Sequence, residues 1–163
     1  MIPVEISVGG GHSNEREALR PMVTNNVTDI ADRGYSRFRL FNDILQVQAH
    51  LIFRVKDNLI IGDIIESLRV SLPASVQLLF SNVTDQLIRY KSDPYQNIYR
   101  PVCFRVGKER YHILTDRQDL STFQIIVLYL TFPTPNSICF AIYLIYYHVL
   151  SSFRIYEHFR AHP

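Results

Sequence analysis

Apolar and polar residues alternate along Pro3-Val4-Glu5-Ile6-Ser7-Val8, the period-two signature of a strand with one buried face, and Gly9-Gly10-Gly11 ends it. Ser13 or Asn14 can cap a short helix through Glu15, Ala18 and Leu19 toward Pro21, with acidic residues where the helix dipole favours them. Val27-Thr28-Asp29-Ile30-Ala31 reads as a second strand, which delivers Asp32-Arg33-Gly34-Tyr35 at its C-terminal end. From Ser36, a plausible cap, the residues Phe38, Phe41, Ile44, Leu45 and Ala49 follow helical spacing over about three turns. Leu51-Ile52-Phe53-Arg54-Val55 is a buried-type strand. The order strand, helix, strand, helix, strand predicts an α/β sheet.

Beyond Asp57-Asn58 the pattern changes to short β-type runs: Leu59–Ile65, Leu68–Leu72, Val76–Phe80, Leu87–Tyr90, Tyr99–Val106 and Tyr111–Leu114. They predict a β-rich insertion. A further helix is expected from Gln124, capped by Asp119 or Ser121 and stopped by Pro133.

Composition sets the outer bounds. The chain has 163 residues, 47% hydrophobic and 20% charged, which fits one folded domain and excludes disordered or disulfide-dense classes. A formal charge of +2 names no partner by itself. Two isolated cysteines, Cys103 and Cys139, imply a reducing compartment, and Met1–Val8 has no signal-peptide pattern. The charges are unevenly placed: Leu120 to Phe153 runs 34 residues without an Asp, Glu, Lys or Arg. Its apolar pieces Phe123–Phe132 and Ile138–Leu150 are each shorter than the roughly 17–25 residues of a spanning helix. Tyr143, Tyr146 and Tyr147 have the look of an interfacial belt, but no charge flanks them.

An aspartate at the C-terminal end of a central strand stands where α/β sheets hold their ligands, which makes Asp32 the leading candidate for chemistry. It is also well suited to capping the turn that follows. Arg33, Arg37 and Arg39 form a basic cluster beside it, and Arg54 and Lys56 flank the next strand. They suit either a DNA backbone or an ordinary solvated face. His12 and Glu15 lack the third partner that a metal needs, and Asp57-Asn58 suits a turn.

The blocks Asp32-Arg33-Gly34-Tyr35, Phe38, Leu40-Phe41 and Phe53-Arg54-Val55-Lys56-Asp57-Asn58 resemble the middle of a DDE transposase of bacterial insertion sequences. The class is the IS-four-like one, with the signature Tyr-x2-Arg-x3-Glu-x6-Lys. Upstream, Pro3-Val4 and Gly11-His12-Ser13-Asn14-Glu15-Arg16 resemble the stretch before the family's second aspartate. Downstream, His112 to Leu120 resembles the strand that re-enters the core, so the similarity covers about residues 1–129.

The resemblance implies a partial ribonuclease H-like core over 1–58, a β-rich insertion over 59–110, a return to the core over 111–130, and an anomalous apolar tail over 131–163. It makes Asp32 the second of three catalytic, Mg²⁺-binding carboxylates, and Arg33, Arg37, Arg39, Arg54 and Lys56 candidates for contact with DNA. The family cuts and rejoins DNA at the ends of an insertion sequence, acting as an oligomer on paired ends in the bacterial cytoplasm at the nucleoid. Two cations about 3.5–4 Å apart, held by several carboxylates, drive hydrolysis and then transesterification. The first carboxylate is expected upstream of Pro3–Val8 and does not occur in this sequence. Tyr129 matches the start of the signature, but Phe132, Asn136 and Tyr143 stand where Arg, Glu and Lys belong. That loss coincides with the start of the charge-free stretch, as out-of-frame translation from between about Ser121 and Thr131 would produce. The expectation is therefore a transposase fragment, truncated and inactive alone, with an unpaired sheet edge where the opening strands are missing. The rival readings are a non-catalytic DNA-binding or interaction remnant, and a small membrane-associated protein.

Overall fold

The computed structural model of the chain describes residues 25–131 and 153–156. It is an α/β structure around one mixed sheet with few helices. The expected strand Pro3–Val8, the helix after Ser13, and residues 132–152 lie outside the described residues.

Strand β1 (Thr28–Ala31) is buried along its whole length, as befits a strand covered on both faces. After the 3-10 turn Arg33–Tyr35, helix α1 (Phe38–Gln46) buries Leu40, Phe41 and Ile44 on one stripe. Its N-cap is Arg37 rather than Ser36, and no side chain caps it. The exit is tight: Gln48 takes φ 57°, its N–H bonds to the Leu45 carbonyl and that of Ala49 to the Ile44 carbonyl. This is a Schellman turn with glutamine in the left-handed position that glycine prefers. It reverses the chain into β2 (His50–Arg54), which pairs parallel with β1.

An antiparallel series follows: β3 (Ile61–Ser67), β4 (Ser81–Tyr90) and β5 (Arg100–Val106) in the stretch expected to form the insertion, then β6 (Glu109–Thr115). β6 then pairs antiparallel with β2, and the last described strand, β7 (Phe153–Tyr156), lies parallel to β1. The full order is β3-β4-β5-β6-β2-β1-β7. The edge of β1, expected to be unpaired, is occupied by Phe153–Tyr156 of the tail. Gly107, at φ 58°, forms with Lys108 the two-residue turn between β5 and β6. Space around it is open, so its backbone angle rather than crowding favours glycine there.

Two expected strands are absent. Val76–Phe80 falls largely within a 3-10 helix, Ala74–Leu79, following Pro73. Leu68–Leu72 forms no strand: the Ser71 N–H donates to Thr122 Oγ1, and the Ser71 carbonyl accepts from the Phe123 N–H. These bonds satisfy the backbone at the start of α2 (Thr122–Thr131). That helix also has a capping box, in which the Gln124 N–H donates to Ser121 Oγ at 3.1 Å and the Ser121 N–H to Gln124 Oε1 at 2.8 Å.

Alternation along the strands separates two cores. Ala31, Leu51, Phe53 and Leu114 pack with α1 on one face, while Ile30, Ile52 and Ile113 pack with Ile125, Ile126 and Leu128 of α2 on the other. The first part of the charge-free stretch is therefore core helix. Among the described residues no helix is long and apolar enough to cross a membrane.

One buried ion pair fastens α2 to the insertion. Arg100 donates through Nε at 2.8 Å and Nη2 at 2.7 Å to the Asp85 carboxylate, and through Nη1 to the carbonyls of Arg117 and Leu120. Thr122 Oγ1 donates to Asp85 Oδ2 at 2.7 Å. Removing one partner of such a pair strands the other charge away from water. Arg100→Met is expected to cost about 3–5 kcal/mol in urea denaturation, and a loss below about 1 kcal/mol would refute this role.

Candidate functional site

Asp32 follows directly on the last residue of β1, at the C-terminal ends of the parallel pair. Its backbone is extended, with φ −89° and ψ 178°, and Oδ1 accepts the Arg33 N–H at 2.7 Å, capping the 3-10 turn. The capping role anticipated from sequence is present. The same oxygen also accepts the hydroxyl of Tyr129 at 3.3 Å, from 97 residues further along the chain. Tyr129 is buried on α2, whose packing against the sheet carries it to the end of β1.

Arg54, the last residue of β2, is the second charged group here. Its guanidinium carbon lies 4.4 Å from the centre of the Tyr111 ring, and Nη2 donates to the Arg110 carbonyl at 2.9 Å. The Glu109 carboxylate is 3.7 Å away but largely exposed. Tyr111 stacks on Phe104 at 4.9 Å and meets Tyr129 edge-on at 6.2 Å. Burial pushes the Tyr129 phenol well above the ordinary tyrosine range, the Asp32 carboxylate raises it further, and Arg54 opposes both. At neutral pH the hydroxyl is thus a proton donor held between an anion and a cation.

The basic candidates are brought to one rim. Because α1 returns the chain between two parallel strands, its N-terminus lies beside the end of β1. Arg33 in the 3-10 turn, Arg37 at the N-cap, Arg39 in the first turn of α1, and Lys56 just beyond β2 are all exposed there. Arg54 differs, being largely buried and held by protein groups. Asp57 and Asn58 form the exposed turn expected of them. His12 and Glu15 lie outside the described residues.

Among the described residues the donors around Asp32 are not those of a divalent-cation site. Hard cations take several carboxylate or carbonyl oxygens, whereas the side chains bonded to or flanking Asp32 here are a phenol and guanidiniums. Among the described residues no group of three His, Cys, Asp or Glu could hold a metal ion. Sequence reasoning found Asp32 from its place after a strand. It named Arg54 only as a candidate DNA contact and not as the partner of Tyr111, which lies within β6 and carries no sequence signal of its own. No protein-family model and no curated protein matches the chain.

A pH dependence follows from the buried phenols. Tyr129 ionises later in the folded state than the ordinary value of 10.0, and Tyr90 and Tyr99 are shifted the same way, chiefly by burial. A raised folded-state pKa gives stability that is whole below the unfolded value and lost as pH climbs beyond it. Denaturant stability should hold to about pH 9 and fall above about pH 10. Tyr129→Phe should soften the fall, and Asp32→Asn should let Tyr129 ionise earlier, as read from phenolate absorbance. Ionisation unmoved by Asp32→Asn would disprove the coupling.

Proposed function

We propose that the chain is a fragment of a DDE-type transposase that binds DNA without cutting it. The observation that carries this reading is the contact between Tyr129 and Asp32. Asp32 lies in the block Asp-Arg-Gly-Tyr and Tyr129 opens the partial signature, so two distant blocks of the resemblance meet at one strand end. The order of elements supports it too: parallel strands joined by a helix, then an antiparallel insertion, then a helix returning to the first strand's end. A partial ribonuclease H-like core with an insertion accounts for that order.

The exposed rim of Arg33, Arg37, Arg39 and Lys56 supplies positive charge for phosphates at the sheet end where ligands of α/β folds collect. Its natural substrate would be the ends of an insertion sequence, met in the nucleoid. The absence of cutting rests on chemistry: Phe132, Asn136 and Tyr143 occupy the signature's charged positions, and the donors at Asp32 do not suit Mg²⁺. What Asp32 does in this chain is cap the turn and hold Tyr129, and with it α2, at the rim.

Fluorescence anisotropy with a DNA duplex at several salt concentrations tests the reading. Affinity should fall linearly on a log–log plot, with about 0.9 of slope per phosphate contact. Replacing Arg33, Arg37 and Arg39 together by Gln should lower the slope by roughly 2–3. No Mg²⁺-dependent product should form. Retention that ignores salt, or no retention, would sink the DNA reading, and a Mg²⁺-dependent nick would sink the non-cutting part of it.

A further inference from the structure

We propose that the insertion carries a second, separate site: an anion-binding cleft that takes a nucleoside phosphate, free or as one unit of a strand. The cleft encloses about 520 Å³ on the sheet face that α1 covers elsewhere, within the size range of small-ligand sites. Alternate residues of β4, β5 and β6 line it, as the period of two requires for a single face.

Arg105 and Arg110 determine its chemistry. They are directly opposite each other in the β5–β6 register, both exposed and both lining the cleft. Neither is ion-paired to a carboxylate among the described residues. Like charges facing across a ladder destabilise a hairpin, and Lys108 in the turn adds a third cation at its tip. An anion between the guanidiniums converts that repulsion into attraction, and paired N–H donors match the oxygens of a phosphate.

The remaining walls point to more than bare phosphate. Thr84 and Gln86 from β4 offer neutral hydrogen-bonding groups, while Leu59 and Ile61 give an apolar flank on which a flat ring can rest. Asp57 is the one carboxylate of the lining, a fit acceptor for a ring N–H or amine. Two guanidiniums against one carboxylate leave the cleft net positive. A phosphate joined to a nitrogen-bearing ring uses all three kinds of wall.

The site is distinct from the rim at Asp32, and one set of titrations separates them. The full chain is titrated by calorimetry with deoxyadenosine 5′-monophosphate, inorganic phosphate and a short single-stranded oligonucleotide. The mononucleotide should bind saturably and more tightly than phosphate. Arg105→Gln and Arg110→Gln should each weaken it about tenfold, whereas the Arg33, Arg37 and Arg39 replacements should not move it. Without ligand, both single variants should melt no lower than the parent chain, because the repulsion is relieved; the melts also establish that they are folded. An oligonucleotide that binds more tightly, with the same dependence on both arginines, identifies a strand as the source. Tighter mononucleotide binding identifies the free compound. Saturable binding by none of the three, or affinity unmoved in both folded variants, overturns the proposal.

Discussion

The carboxylate of Asp85 is wholly withdrawn from water, and that constraint organises much of the molecule. A bare buried carboxylate is prohibitive, so a cation must remain beside it and its lone pairs must be filled. Arg100 and Thr122 do both, and Arg100 also takes the carbonyls of Arg117 and Leu120. Ser71 closes the group by donating to Thr122. Strands β4 and β5, the segment before the 3-10 helix, and the start of α2 are thereby held in one arrangement. Such a network adds little net stability compared with an apolar core of similar volume. Its effect here is on direction: α2 leaves the knot aimed so that Tyr129 arrives at Asp32.

The apolar half of the problem follows from that direction. Once α2 lies on the sheet, Ile125 and Ile126 are sealed from water, each contributing about 1.5–3 kcal/mol of transfer free energy. α1 seals the opposite face through Phe41 and Ile44, with Phe53 and Tyr99 against the Phe41 ring. The buried apolar side chains of β1, β2 and β6 each belong to one core or the other, so register there cannot slip without exchanging the two faces.

Charge is distributed as unevenly as hydrophobicity. A formal total of +2 conceals a local clustering of cations. β6 runs antiparallel to β2, so its beginning and the β5–β6 turn lie at the sheet end where β1 and β2 finish. Arg33, Arg37, Arg39, Lys56, Arg105, Lys108 and Arg110 therefore collect at one end, together with the carboxylates of Asp32, Asp57 and Glu109, while Asp119 at the other end is paired with Arg117. Local field, rather than net charge, is what a phosphate would meet.

The elements with a clean pattern were legible from sequence alone. α1 shows helical spacing, while β1, β2, β5, β6 and α2 stand out as short apolar runs that the chain displays directly. Asp32 was legible as well, because an acid after a strand needs no distant partner to be noticed. What tertiary structure alone decided involves contacts between residues far apart. Val76–Phe80 has the composition of a strand but pairs with no neighbour and curls into a 3-10 helix, and β4 extends through Asp85 because Arg100 neutralises it. The meeting of Tyr129 with Asp32 and the opposition of Arg105 to Arg110 arise the same way, from packing and register. A sequence records each residue's own preference, and the energy of a pair exists only once the fold has brought both members together.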